Sequence, residues 1–300
     1  MSKRLLAILA AIGASTIYGI NHTVAKDLMP VFIEPFGFIL LRVSGAAVVF
    51  WILSIWGPKE KIATSDWLRI VGCTIFGMAI NMLFFFKGLS LSTPINSSVI
   101  VTLSPILVFI LAAILIKEKV TFLKTLGITI GLAGALTLVL FSNGETVNAP
   151  NIPLGNLFFI INAFSYGMYL ILVKPLTAKY HSLTLMKWFF LFAIFINLPI
   201  TISEFTAVEW INLPAHAIWK MAFVVLGTTV STYLLNIYAL KELSASTISA
   251  FIYLQPLIAI VYAVSTGADS LDIVKITAAM LVFTGVYLVS KKQKPTAISR

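Results

Sequence analysis

Ser97-Ser98-Val99-Ile100-Val101-Thr102-Leu103-Ser104-Pro105-Ile106 carries small hydroxyl residues through an apolar stretch to a proline. The chain repeats the phrase as Ile248-Ser249-Ala250-Phe251-Ile252-Tyr253-Leu254-Gln255-Pro256-Leu257. The two prolines stand 151 positions apart, and that offset also pairs Ser98 with Ser249, Glu118 with Asp269 and Gly134 with Gly285. Tyr18-Gly19 and Tyr166-Gly167 match at the neighbouring offset of 148. The chain therefore reads as a duplication, with a period far beyond the roughly 20–50 residues of a solenoid repeat.

Outward from these phrases the sequence stays apolar. Of its 300 residues 59% are hydrophobic and 11% charged, against about 45–50% and 25% in soluble domains. Spans are expected near 5–25, 36–56, 69–88, 94–116, 121–141, 153–173, 183–203, 219–240, 246–266 and 272–290, each long enough to cross a hydrocarbon layer of about 30 Å. Gly57-Pro58, Lys117-Glu118-Lys119 and Ser142-Asn143-Gly144 punctuate them. The runs are continuous rather than alternating, which excludes barrel strands. Lys3-Arg4 before the first run suggests a signal peptide, but the run continues into the repeated Tyr18-Gly19 and belongs to the fold. Lone Cys73 has no disulfide partner within the chain.

Charge sets the orientation. With the N terminus inside, 16 Lys and Arg residues fall on the inner side and five (Lys26, Arg42, Lys87, Lys220, Lys275) on the outer, the positive-inside bias of an inner-membrane protein. Ten spans place both termini in the cytoplasm. The net charge of +10 is spread over short loops, so it points to the membrane rather than to nucleic acid. Each repeat holds five spans, an odd number, so the second copy enters with opposite orientation. The expected fold is an all-α integral membrane protein of ten transmembrane helices in two inverted five-helix repeats, 1–145 and 146–290, with a basic cytoplasmic tail at 291–300.

No catalytic, metal or cofactor signature emerges. No Asp or Glu falls mid-span, His181 and His216 fall in loops, no Cys/His/Glu cluster has metal-ligand spacing, and no phosphate-cradling loop is present. A polar group inside a span is a functional candidate by default. The candidates are Asn21, Asn81, Ser98, Thr102, Tyr166, Tyr169, Tyr233, Asn236, Tyr238, Tyr253 and Gln255, in spans one, three, four, six, eight and nine. Each is either substrate-binding or interhelical glue. Pro105 and Pro256 remove a backbone hydrogen bond in mid-span, giving a static kink or a hinge. Gly127, Gly131 and Gly134 read as close helix packing, with a homodimer seam as the alternative. Lys87 either snorkels to the headgroups or, with Arg42, attracts an anionic substrate group at the outer mouth.

In order and spacing, Leu41-Arg42, Lys87-Gly88-Leu89, Pro105, Lys117-Glu118-Lys119-Val120-Thr121, Gly127, Gly131, Tyr238-Ala239-Leu240, Pro256 and Gly285 resemble the EamA family of the drug/metabolite transporter superfamily. Asp269 and Ala278 depart from it, standing where glutamate and glycine are usual. The resemblance implies ten helices around a central cavity and carriage of amino acids, sugars or other metabolites, often as export. The expected function is a secondary transporter of a small polar metabolite, working by alternating access. A passive channel or a membrane scaffold is the alternative.

Overall fold

A computed structural model describes residues 1–29, 31–92, 100–141, 151–265 and 273–291. Ser98, Asp269 and residues 292–300 of the tail lie outside the described residues. Those described form ten successive helices: α1 Lys3–Leu28, α2 Pro35–Leu53, α3 Thr64–Leu91, α4 Ser104–Leu115, α5 Phe122–Phe141, α6 Ile152–Lys179, α7 Ser182–Thr206, α8 Ala215–Glu242, α9 Ala245–Ala250 with Leu254–Ser265, and α10 Ile273–Ser290. Six of them, α1, α2, α3, α6, α7 and α8, are each long and apolar enough to span a membrane. Val48, Phe195, Leu226 and Phe283 project outward from the bundle, as a lipid-facing surface requires.

Capping chemistry starts the helices. Ser2 accepts from the Leu5 N–H and Asn151 from the Leu154 N–H, and Pro35 and Pro153 occupy first-turn positions, where a missing N–H costs nothing. The α4 helix ends at Lys117, whose φ of 51° is left-handed. There the Glu118 N–H reaches back to the Ala112 carbonyl at 3.0 Å, past a left-handed position that usually takes glycine.

Packing repeats between the halves. The most extensive contacts join α5 to α10 and α2 to α7; α1 packs on α8 and α9, and α6 on α3 and α4. Exchanging the two halves leaves this pattern unchanged. Capping is reciprocal as well. Glu204, late in α7, accepts from the Phe36 and Gly37 N–H groups that open α2, at 2.6 and 3.0 Å. Glu60, past the end of α2, accepts from the His181 N–H just before α7 at 2.8 Å. Each helix of the antiparallel pair thus has its N-terminal positive end neutralised from the other's C-terminal side.

The α5–α10 seam answers the glycine question. A Cβ on Gly285 would lie 2.5 Å from the Gly131 nitrogen, and one on Gly134 2.9 Å from the Ala278 carbonyl. These glycines are consumed within the chain, so the homodimer seam read from them is corrected: the stripe is not free to meet a second copy.

Candidate functional site

Two pairs of irregularities meet between the halves. The first is a break in spans four and nine. Residues 102–103 form a turn before α4 resumes at Ser104, and Phe251–Tyr253 is a 3₁₀ turn between the two pieces of α9. The sequence predicts bends at Pro105 and Pro256; the structure has interruptions just before them. Proline alone does not explain this, because Pro175 and Pro199 sit inside continuous helices. The second pair is π-helical: Ile75–Ile80 in α3 and Phe223–Ser231 in α8, starting 148 positions apart. A π segment rotates the residues after it and leaves carbonyls for side chains to satisfy. Here the hydroxyls of Thr229 and Ser231 bond five residues back, to the carbonyls of Val224 and Leu226.

A cavity of about 150 Å³ lies at this meeting point. Val101 and Ser104 line it from span four, and their repeat mates Ile252 and Gln255 line it from span nine. Met82, Phe85 and Phe86 form an apolar wall, while Tyr18, Asn21, Arg42, Asn81, Asn162, Tyr166, Tyr169, Tyr233 and Asn236 supply polar groups.

Some of these groups are already engaged. Asn81 and Asn162 each donate to the other's backbone carbonyl, at 3.3 and 2.7 Å, fastening α3 to α6. Tyr233 Oη donates to the Gly77 carbonyl at 3.1 Å. The π segment of α8 and the residue after it hold three lining residues in place. Thr228 donates to Asn21 Oδ1 at 2.9 Å, the Thr232 and Tyr18 hydroxyls bond at 3.0 Å, and Arg42 Nε donates to Thr229 Oγ1 at 3.1 Å. One hydroxyl at the cavity wall is not engaged. Tyr169 Oη is buried with no partner among the described residues.

Arg42 is the one charged residue among the described lining residues, and no carboxylate lines the cavity with it. It is 6% exposed, its guanidinium carbon lies 5.8 Å from the centre of the Phe86 ring, and it forms no ion pair among the described residues. A buried cation without a counter-ion is costly. This one lines a space together with further hydrogen-bond donors.

The structure thus brings Asn21, Arg42, Asn81, Tyr166, Tyr169, Tyr233, Asn236 and Gln255 to one cavity and leaves four candidates out. Lys87 is exposed at the end of α3, its ammonium 5.8 Å from the Phe36 ring centre. Tyr238 is 39% exposed on the outer face of α8, about 200° around the helix from Asn236. Tyr253 is fully buried, its ring pressed on Gly131 so closely that a Cβ there would sit 2.6 Å away. Thr102 is buried in the turn before α4 and does not line the cavity. Tyr18 and Ser104 also line the cavity, and the repeat holds the signal for them. They are the mates of Tyr166 and Gln255. Among the described residues no group of His, Cys, Asp or Glu could hold a metal.

Duplicated five-helix halves around such a cavity match a known pattern: the model of the EamA-like transporter family fits residues 5–140 and again 153–291. The chain belongs to the EamA-like transporter family. The transporter is 25% identical to an uncharacterized transporter, YyaM, of Bacillus subtilis, over 96% of this chain and 94% of the relative. It is also 25% identical to an uncharacterized transporter of Archaeoglobus fulgidus, covering 93% and 96%. A WAT1-related protein of Arabidopsis thaliana is 23% identical over 91% of this chain and 79% of its own length. A solved crystal structure shares the fold, with a TM-score of 0.77 at 16% identity over 94% of this chain and 95% of the other. The transporter is a multi-pass membrane protein of the drug/metabolite superfamily.

Proposed function

We propose that this transporter is a secondary carrier that binds a compact metabolite bearing a carboxylate, an amino acid or a related compound, and moves it by alternating access. One observation carries the reading: buried Arg42, without an acidic partner among the described residues, on the wall of a cavity between the halves. Its guanidinium, the Tyr169 hydroxyl with no partner among the described residues and the amides of Asn236 and Gln255 suit an acceptor-rich, anionic group, because charge-assisted hydrogen bonds are the strong ones. Phe85 and Phe86 would cover the apolar part. At about 150 Å³ the cavity is smaller than the roughly 300–1,000 Å³ of drug-sized sites, which favours a small metabolite. The cation of the site in this reading is Arg42, and Lys87 stays at the rim.

The halves 1–145 and 146–290 would rock against each other, with the broken α9 and the turn before α4 as flexing points beside the cavity. The Lys/Arg bias supports an inner-membrane location with both termini and the 291–300 tail in the cytoplasm, and the family resemblance supports export. Reconstituted in proteoliposomes, the purified chain should show saturable, trans-stimulated exchange of a labelled carboxylate drawn from an amino-acid and organic-acid panel. Flux that never saturates and is not trans-stimulated would favour the channel alternative, and no flux with any member would sink the carrier reading.

A further inference from the structure

The bundle end that carries the N terminus holds a second concavity, away from the central cavity. It is a groove of about 490 Å³ between the start of α3 and the last turns of α6. Its floor is apolar. Leu68 is 84% exposed, and Leu172 lies across Gly72, where a Cβ would already meet its Cδ1 at 3.4 Å. Its rim is cationic, formed by Arg69 and Lys179. Asp66 also lies at the rim, but it is 5% exposed and occupied. Lys179 Nζ donates to both its oxygens, at 3.0 and 2.9 Å, and the Tyr180 hydroxyl donates at 2.8 Å. Arg69 is exposed and forms no ion pair among the described residues. The rim therefore keeps one uncompensated positive charge.

Aromatic residues fix the depth of this groove. Trp67, adjacent to Leu68, packs edge-on against Trp188 at 5.0 Å, and Trp188 against Trp51 at 5.5 Å. The Lys187 ammonium lies 5.3 Å from the Trp51 ring centre. Tryptophan and lysine gathered at a helix end mark the headgroup level of a bilayer. A water-soluble anion would gain nothing from Leu68 and Leu172, whereas a lipid presents a phosphate and an acyl chain together.

We propose that the groove binds one anionic phospholipid of the leaflet on the N-terminal side. Its phosphate sits on Arg69 and Lys179, and an acyl chain runs over Leu68 and Leu172. Basic pockets between helices at the cytoplasmic side are suited to anionic headgroups. The site does not depend on what the central cavity carries.

Native mass spectrometry of the full chain tests this, with phosphatidylglycerol and phosphatidylcholine of identical acyl chains as probes. The wild type should retain phosphatidylglycerol in preference, at one per chain. Arg69→Gln should weaken that retention roughly fivefold, the effect of removing one cation near a lipid surface. Its melting temperature in lipid-free detergent should stay unchanged, since Arg69 has no ion pair to lose among the described residues. Lys59→Gln and Lys61→Gln, exposed cations in the preceding loop, should retain phosphatidylglycerol as the wild type does. Glycerol phosphate at the same concentration should not displace it. Undiminished retention by Arg69→Gln overturns the proposal. Equal loss in the two loop variants overturns it in favour of general attraction to a basic surface, and displacement by glycerol phosphate overturns it in favour of a free-anion site.

Discussion

Replacing Arg42 with Gln removes the charge from the cavity while keeping a side-chain amide near Thr229. Charged hydrogen bonds are each worth about 1.5–3 kcal/mol. Losing one such bond to a carboxylate corresponds to roughly 10- to 150-fold weaker binding. Arg42 also bears the desolvation penalty of a buried ion with no counter-ion among the described residues. Its removal should therefore not destabilise the empty protein. The expected result is a split: apparent affinity for a carboxylate substrate falls by that factor, affinity for its neutral amide analogue changes little, and the melting temperature of the empty protein does not fall. Arg42→Lys keeps the charge but loses the fork and the Nε bond to Thr229 at 3.1 Å, so it should recover part of the affinity. The assays are substrate competition in proteoliposomes and thermal unfolding in detergent. A lowered melting temperature, with carboxylate and amide affinities reduced alike, would show that Arg42 braces α2 against α8 instead, and would refute the reasoning.

Three further outcomes are expected. Tyr169→Phe removes a buried hydroxyl that has no partner among the described residues; it should raise stability by about 1 kcal/mol while reducing transport, and a less stable, fully active variant would contradict this. Gly285→Ala places a methyl 2.5 Å from the Gly131 nitrogen and 2.6 Å from the Gly127 carbonyl; backbone cannot yield as a side chain can, so detergent melting should drop by several degrees, and a melting curve like the wild type's would disprove the close seam. Glu118 is partly buried, which alone would raise its pKa, but hydrogen bonds from Lys124 and Ser246 hold its carboxyl below the usual range. Its stabilising contribution is thus full above the ordinary glutamate value of about 4.5 and is lost as pH falls through the lower folded value; wild type and Glu118→Gln should differ in melting temperature at neutral pH and converge in strong acid, and a constant gap would argue against it.

Particular residues show where sequence reading reaches and where it stops. Asn21, Tyr166, Tyr169, Asn236 and Gln255 were legible as cavity candidates because a polar group in lipid needs a reason. Tyr238 and Tyr253 looked the same by that criterion, yet one faces outward and the other fills the space over Gly131. Helices that are apolar almost all round carry no stripe to show which way they turn. The π segments at Ile75–Ile80 and Phe223–Ser231 then shift the phase of everything after them, and no residue pattern announced them.

By itself the sequence determined the ten spans, the duplication and the opposite orientation of the second half. The bilayer forces this legibility: backbone groups in hydrocarbon must be satisfied within each segment, so span length and number are written locally, and an odd number per repeat makes inversion arithmetic. The sequence also placed one cation in span two and one at the end of span three. Only the tertiary structure decided that Arg42 faces the cavity and Lys87 does not. The two cations belong to different helices whose rotation is set by packing, α2 against α7 through the Glu204 caps and the end of α3 against Phe36, and side-chain direction follows from that rotation rather than from residue type.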